Sequence, residues 1–150
     1  MILRTCLIFA ALVVGVGAVV AQSDPMKERK DIMKGMGMPF YVTLNRMRRG
    51  QAPYNQATVD DAFAFIAANA PKLPTLYPDS TKNVQSTDDY GPSAKLWENK
   101  ADFDKRVGAL VKVAAENQSR AKNVDGLKVA FANVRKECDS CHETYRVEKK

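Results

Sequence analysis

The sequence predicts an all-α protein, an antiparallel four-helix bundle in which one long connection joins the second and third helices. Four segments of the 150-residue chain repeat apolar residues every three or four positions, the spacing that lines one face of an α-helix. Capping residues, proline and glycine mark the ends of these segments, and no stretch alternates convincingly as a strand would. An apolar content of 45% is ordinary for a chain that buries a core.

The first 21 residues differ from the rest and are predicted to be a cleaved secretory signal peptide. Arg4 precedes an apolar run from Cys6 to Val20, and small or compact residues lead to a cleavage site after Ala21. The run is shorter than the ~20 residues of a spanning helix, so no stable membrane anchor is expected. The mature domain is therefore residues 22–150, in an exported and oxidising compartment.

Charge limits the partners of this domain. The formal net charge of +6 falls to +5 when the signal peptide leaves, because Arg4 is its charged residue. Nucleic acid is a poor partner for an exported protein of this charge, whereas an acidic redox protein could dock on it. Five basic residues surround the last helix and serve either such a partner or solvation alone: Arg135, Lys136, Arg146, Lys149 and Lys150.

The first predicted helix begins at Pro25, where Asp24 offers a cap, and ends at Gly50. Its apolar seam consists of Met26, Met33, Met36, Phe40, Leu44 and Met47. Pro39 interrupts this helix, because proline lacks the N–H that would bond to Gly35. A kink is expected there.

The second helix is predicted to begin at Thr58, whose hydroxyl can cap the first turn, and to end at Pro71. Its buried face is predicted to be Val59, Ala62, Phe63, Ile66 and Ala70. Residues 72–99 are rich in Pro, Ser, Asp and Gly and form the long connection. Tyr77 and Trp97 are expected to hold this connection on the bundle.

The third helix is predicted from about Lys100 to Arg120, and the fourth from about Asp125. The third presents an apolar face of Phe103, Val107, Leu110, Val111 and Ala114. The inward face of the fourth carries Leu127, Phe131, Val134, Cys138, Cys141 and Tyr145. Four amphipathic helices of this length, with one long connection, predict the antiparallel bundle.

The fourth helix carries both cysteines of the mature domain and the chain's single histidine, in the stretch CDSCH. A structural zinc site would need a fourth donor, and the domain has no further cysteine or histidine. A thioredoxin-like pair belongs at the start of a helix after a strand, and a disulfide within one helical turn adds little stability. These three interpretations are therefore disfavoured.

C-x-x-C-H is instead the attachment signature of c-type haem, and each part has a mechanical reason. Cys138 and Cys141, three residues apart on one helix face, can form thioethers to the two vinyl groups of one porphyrin. His142 then offers an imidazole nitrogen to the iron. One haem c per chain is expected, in the periplasm, because bacterial c-type haem is attached outside the cytoplasm.

The position of this motif in the last helix resembles the class II c-type cytochromes, the cytochrome c′ and cytochrome c556 family. The stretches that carry the resemblance are CDSCHETYR, RKDIMK, RGQAPYN, LPTLYPDS and KLWENKADFDK. The resemblance implies thioethers at Cys138 and Cys141, His142 as the proximal iron ligand, and Arg146 as a shield for one side of that histidine. It also implies that a homodimer can form through the first two helices.

For the other side of the iron, the resemblance implies Met33 on the first helix, with Arg29 near the haem propionates. Met33 lies eight residues after Pro25, and His142 lies eight residues before residue 150. In antiparallel helices both then sit roughly 12 Å from the same end, at about 1.5 Å per residue. The two side chains can therefore face each other across one haem.

The family divides at Met33, and two alternatives stay open. If the Met33 sulfur ligates, the iron is six-coordinate and low-spin, and the protein is a one-electron carrier like cytochrome c556. If Met33 only packs over the ring, the iron is five-coordinate and admits a gas such as nitric oxide, as in cytochrome c′. The IMK stretch, with Gly35 and Gly37 thinning the helix, favours the carrier, whereas Arg29 is more typical of cytochrome c′.

An enzyme is not expected. The mature domain has no histidine besides His142 and no obvious acid–base pair that could cleave a bound oxidant.

Overall fold

The computed structural model describes residues 24–84 and 88–148, so the predicted signal peptide lies outside the described residues and stays a prediction. The α-helices are α1 (Pro25–Met38), α2 (Asn45–Arg48), α3 (Gln56–Asn69), α4 (Lys95–Glu98), α5 (Lys100–Gln118) and α6 (Val124–Tyr145). Two short strands, β1 (Tyr90–Pro92) and β2 (Arg146–Glu148), form a small sheet. The all-α prediction is confirmed, and α1, α3, α5 and α6 are the four long helices.

These long helices pack around one core. α5 packs against both α6 and α3, α1 packs against α3, and α2 packs against α6. All five residues predicted for the inner face of the second helix are buried, as are Phe103 and Val107 of α5. Each large apolar side chain so buried contributes about 1.5–3 kcal/mol relative to exposure. No helix within the described residues has the length and apolar content that crossing a membrane requires.

The first helix begins at Pro25 as predicted, with the Asp24 carboxylate accepting a hydrogen bond from the Met26 N–H at 2.9 Å. Pro39 does not end this helix. The chain continues through a π-helical segment, Pro39–Leu44, into α2. The predicted disturbance at Pro39 thus takes the form of a wider helical turn, which begins at the residue that cannot donate the α-helical hydrogen bond.

The predicted cap of the second helix is wrong. Asn55, not Thr58, caps α3: Asn55 Oδ1 accepts hydrogen bonds from the Thr58 N–H at 2.9 Å and from the Thr58 hydroxyl at 3.2 Å. Both residue types cap helices, and the sequence does not show which of them precedes the first turn. The helix ends at Asn69, just before Pro71, as predicted.

The connection between α3 and α5 contains more structure than the sequence predicts. It includes α4, β1 and two 3₁₀ helices, Ala70–Leu76 and Asp79–Thr81. The Trp97 indole N–H donates to the Tyr77 carbonyl at 3.1 Å, and the two rings meet edge to face at 6.1 Å. Tyr77 also meets the ring of Phe103 on α5 edge to face at 5.2 Å, so the prediction that these aromatic residues hold the connection on the bundle is confirmed.

The prediction that the chain lacks strands is wrong. β1 pairs antiparallel with β2, so that Tyr90 lies opposite Glu148 and Pro92 lies opposite Arg146. The Ser93 N–H donates to the Tyr145 carbonyl at 2.9 Å, beside this pairing. We call β1, β2 and this hydrogen bond the strand clip. It attaches the long connection to the end of α6.

The boundaries of α5 and α6 are close to those predicted. α5 begins at Lys100 and ends two residues before Arg120, while α6 begins at Val124 with the Asn123 side chain accepting from the Gly126 N–H at 2.8 Å. The inward face predicted for the last helix is confirmed. Its buried members are Leu127, Phe131, Val134 and Tyr145, and its half-buried members are Cys138 and Cys141.

Candidate haem site

An apolar cleft opens between α1, α5 and α6. Its lining is mostly aliphatic, aromatic and sulfur-bearing: Met33, Met36, Gly37, Phe40, Tyr41, Ile66, Leu73, Phe103, Arg106, Val107, Leu110, Glu137, Cys138, Cys141 and His142. The predicted attachment residues and Met33 therefore line the same cleft. Clefts of this composition suit a flat, apolar cofactor whose few polar contacts fix its orientation.

We call the α6 side of the cleft, with Cys138, Cys141 and His142, the attachment wall. Their spacing of three and four residues places all three on one face of the helix. Both cysteines are half-buried, and no disulfide joins them. The two thiols and the imidazole thus face the cleft together.

Burial raises the pKa of both thiols of the attachment wall. It raises the pKa of Cys138 to about 11, against the opposing effect of a hydrogen bond with Tyr41. Burial also raises the pKa of Cys141, and the positive charge of Arg106 opposes that rise. Thiols held in the neutral form are poor candidates for a thiol–disulfide redox pair, which depends on a stabilised thiolate.

The imidazole of His142 is held in the neutral form. Burial lowers its pKa, and the positive charge of Arg146 lowers it further, while Asp139 acts in the opposite direction. Neutral imidazole is the form that ligates a metal. Arg146 therefore acts on His142 through its charge, and its backbone N–H donates to the His142 carbonyl at the helix end.

We call the α1 side of the cleft, with Met33, Met36 and Gly37, the facing wall. These methionines are partly buried and pack against the core. Gly37 lines the cleft, and a Cβ there would meet no atom within 4 Å. The prediction for Gly35 is wrong: a Cβ there would lie 2.3 Å from the ring of Phe65, so its missing side chain makes room for α3 rather than for the cleft.

Two residues that the sequence does not mark, Arg106 and Tyr41, hold the turn between the two cysteines, which we call the attachment turn. Arg106 Nη1–H donates to the Ser140 carbonyl at 2.8 Å and to the Ser140 hydroxyl at 3.0 Å. Tyr41, on the π-helical segment, donates its hydroxyl to Asp139 Oδ1 at 3.3 Å. Ser140 and Asp139 are the two residues between the cysteines, so the attachment turn is held from two sides. No motif marks these contacts, since they depend on how α5 and the π-helical segment pack on α6.

Arg29 lies outside the cleft lining. Its side chain is buried, and Nη1–H donates to the Leu76 carbonyl at 3.3 Å and to the Thr81 hydroxyl at 3.2 Å. The guanidinium carbon lies 4.7 Å from the centre of the Tyr77 ring. Arg29 therefore holds the long connection against α1. Its contact with haem propionates stays a prediction.

A family model described as cytochrome C′ matches residues 24–146, which is most of the chain. The chain belongs to the cytochrome c′ family. Its covalently attached haem c, with iron, follows from that membership. Cytochrome c′ family proteins are c-type haem electron carriers, and this chain shares that general role.

Two relatives from Rhodopseudomonas palustris resemble this cytochrome c′ family member over almost their whole length. Cytochrome c-556 is 37% identical over 145 residues, covering 96% of this chain and 97% of that protein. Cytochrome c′ is 36% identical over 147 residues, covering 98% of this chain and 98% of that protein. The solved structure of R. palustris cytochrome c′ aligns with a TM-score of 0.78 at 34% identity, covering 86% of this chain and 100% of that one.

The attachment wall fits the cofactor of the cytochrome c′ family. Two half-buried, neutral thiols and a neutral imidazole face one apolar cleft. Thioether formation consumes thiols in positions of this kind, and iron within a porphyrin needs an axial imidazole rather than a full set of protein ligands. Cys138, Cys141 and His142 are therefore the residues that would hold the haem.

Proposed function

We propose that this chain carries one electron in the periplasm, on a haem c held by Cys138, Cys141 and His142. The observation that supports this proposal is the attachment wall, where the two thiols and the imidazole share one helix face beside an apolar cleft. When bound, the haem supplies one-electron oxidation and reduction at its iron. The residues of the chain attach it, orient it and exclude water from it.

Each element around the cleft has a separate task in this proposal. α6 holds the thiols three residues apart, so that both reach one ring. The neutral state of His142 keeps a nitrogen lone pair available for the iron, since burial and Arg146 both disfavour protonation. The aliphatic residues of α3 and α5 exclude water from the cleft, and a dry surrounding of this kind tunes the potential of an iron site.

We further propose that Met33 would give its sulfur to the haem iron as the second protein ligand, and that the iron would then be low-spin. Met33 lines the cleft that the attachment wall lines, and its unbranched thioether can adjust its position more freely than a β-branched side chain. A methionine opposite a histidine raises the reduction potential of a haem and leaves no open position for a substrate. This arrangement suits a carrier.

A five-coordinate gas binder is the second candidate function. The near-equal identity to relatives named cytochrome c-556 and cytochrome c′, 37% and 36%, favours neither function over the other. Gly37 leaves open space on the facing wall beside Met33, where a diatomic ligand such as nitric oxide could bind. In this case Met33 packs beside the ring without ligating.

The chain is not proposed to be an enzyme. Its relatives are named as cytochromes, and the carboxylic acid in the cleft lining, Glu137, lies on α6 with the attachment wall rather than on the facing wall with Met33. General acid–base catalysis needs such a group within hydrogen-bond reach of the reacting atom.

An acidic redox protein remains the proposed partner. Arg135, Lys136 and Arg146 are exposed on or beside α6, whereas Lys149 and Lys150 lie outside the described residues. Arg135 also pairs with Asp139 at 3.0 Å, so part of its charge is already balanced. Lys136 and Arg146 are therefore the stronger candidates for a contact with an acidic surface.

The spin state separates the two functions, and a methionine pair on α1 provides the test. Met33→Leu removes the sulfur but keeps the volume, so we expect the ferric protein to change from low-spin to high-spin. Met36→Leu is the matched control, because Met36 lines the same cleft three residues later, and its spectrum should stay low-spin. Electron paramagnetic resonance and visible absorption measure both variants. A wild-type spectrum that is already high-spin would support the gas binder instead.

A further inference from the structure

Arg106 lines the cleft at a position for which the proposed attachment chemistry has no use. It comes from α5, and its Nη1–H bonds to both oxygens of Ser140 place it against the attachment turn of α6. Its side chain is 30% exposed, so solvent only partly screens its charge. A fixed positive charge therefore lies beside the residues that would hold the haem.

The guanidinium is also held by the carboxylate of Asp102. Arg106 Nε–H donates to Asp102 Oδ2 at 2.7 Å, and the Tyr145 hydroxyl donates to the same oxygen at 2.6 Å. The guanidinium carbon also lies 5.5 Å from the centre of the Tyr145 ring. We call Arg106, Asp102 and Tyr145 the polar clamp. One hydrogen bond to Asp102, whose oxygen Tyr145 also holds, and two to Ser140 fix the direction of the arginine.

The two charges of the polar clamp do not cancel at the attachment wall. Arg106 lines the cleft and Asp102 lies outside its lining. Arg106 Nη1 lies 2.8 Å from the carbonyl oxygen of Ser140, between the two cysteines, whereas Asp102 meets the guanidinium at Nε. The net influence of the pair on that side of the cleft is therefore positive.

We propose that Arg106 is a positioning residue whose oriented positive charge favours the reduced form of a haem held on α6. This inference rests on the proposed function. Reduction adds one electron from a one-electron donor, forms or breaks no bond, and lowers the net charge of the haem site by one. A nearby positive charge stabilises the state with the lower positive charge, and a nearby negative charge does the opposite.

Two variants test this by changing the charge in opposite directions. Arg106→Gln leaves Asp102 unopposed, so at the wild-type midpoint the ratio of reduced to oxidised protein should fall about three- to tenfold. Asp102→Asn leaves Arg106 unopposed, so the ratio should rise. Redox titration of the purified holoprotein, with mediator dyes as electron donors and haem absorption as the signal, measures both. A merely structural role would loosen the attachment turn in both variants and would not give shifts of opposite sign.

Two controls accompany the pair. Arg106→Lys keeps the charge and should restore most of the wild-type ratio. Lys112→Gln removes the charge of an exposed i, i+4 pair with Glu116 on the same helix and should leave the ratio unchanged. Shifts of the same sign in Arg106→Gln and Asp102→Asn, or shifts no larger than that of Lys112→Gln, would overturn the inference.

The failure of the proposed function has a different readout. If the exported wild-type chain carries no covalent haem by the pyridine haemochrome assay, the function is wrong before any titration is made. If Arg106→Gln does not fold, Asp102→Asn and Arg106→Lys decide the matter. An unchanged or lowered ratio in Asp102→Asn then overturns the inference.

Discussion

The attachment wall and the facing wall of the cleft are held in different ways. On α6, the two residues between the cysteines are hydrogen-bonded to Arg106 of α5 and to Tyr41 of the π-helical segment. On α1, Met33 and Met36 lie against the cleft through thioether and hydrocarbon contacts. Hydrogen bonds fix direction as well as distance, whereas methionine packing allows several rotamers of similar energy.

This difference matters because the two candidate functions of this chain make different demands on the two walls. The attachment side must hold two sulfurs and a nitrogen in one fixed arrangement. The facing side decides whether a sulfur reaches the iron, and a small change in packing is enough to alter that.

The largest effect is expected from removal of the thiols on the attachment wall. In the double variant Cys138→Ser/Cys141→Ser no thioether can form, so acidified acetone should extract essentially all of the haem. Lys136→Ser, exposed on the same helix, is the control and should keep its haem covalently bound. Haem that resists extraction from the double variant would show that the attachment wall is wrongly assigned.

An intermediate effect, on the free energy of unfolding, is expected at Phe131, where α6 meets the π-helical segment. Its ring stacks on Phe40 at 4.3 Å and is 2% exposed. Phe131→Ala should lower the free energy of unfolding by about 3–5 kcal/mol, through lost burial and a cavity. Urea denaturation measures this loss.

Val129→Ala is the control for Phe131→Ala. Val129 lies on the same helix and is 55% exposed, so its truncation should change the free energy of unfolding by at most about 0.5 kcal/mol. Equal losses in the two variants would contradict the stacking as a source of stability.

The smallest effect is expected on thermal stability at acid pH, where Asp102 of the polar clamp becomes protonated. Hydrogen bonds from Tyr145 and then Arg106 hold the pKa of the Asp102 carboxyl below its ordinary value. The unfolded chain therefore binds the proton first, so this stabilisation is complete above the unfolded pKa of about 3.9 and is lost as pH falls through the lower folded pKa. Between pH of about 4.5 and about 2.5, the Tm of the wild type should fall more steeply than that of Asp102→Asn.

Tyr145→Phe sharpens this acid experiment, because it removes the larger cause of the pKa shift and changes no charge. Its Tm should fall with pH less steeply than that of the wild type and more steeply than that of Asp102→Asn. If the Tm falls with pH equally in all three proteins, protonation of Asp102 does not contribute to the loss of stability at acid pH.

Local patterns in the sequence predicted much of the fold. Val59, Phe63 and Ile66 are buried as their spacing requires, because a helix repeats its inner face every three or four residues. The placement of Cys138, Cys141 and His142 on one face follows from the same regularity. Met33 lies in the same cleft as His142, as predicted, although α6 ends at Tyr145 rather than at residue 150. The antiparallel direction of the two helices mattered more than the exact number of residues to the helix end.

Features that depend on distant parts of the chain could not be predicted. The pairing of Tyr90 with Glu148 joins segments 58 residues apart, and neither segment shows an alternating pattern. The contact between Arg106 and Ser140 spans 34 residues and arises only when α5 and α6 pack. Gly35 was assigned to the wrong neighbour for the same reason, because its contact with Phe65 depends on the rotation of α1 against α3.

The strand clip also determines how the end of α6 moves. Helix ends normally open and close more often than helix centres, and His142 lies only three residues from the end of its helix. To open that last turn, the chain must also break the hydrogen bond from Ser93 to Tyr145, separate β1 from β2, and move the Arg146 guanidinium from its place 4.7 Å above the Tyr90 ring. The turn that carries the histidine is thus protected from local unfolding by a segment that begins more than fifty residues earlier.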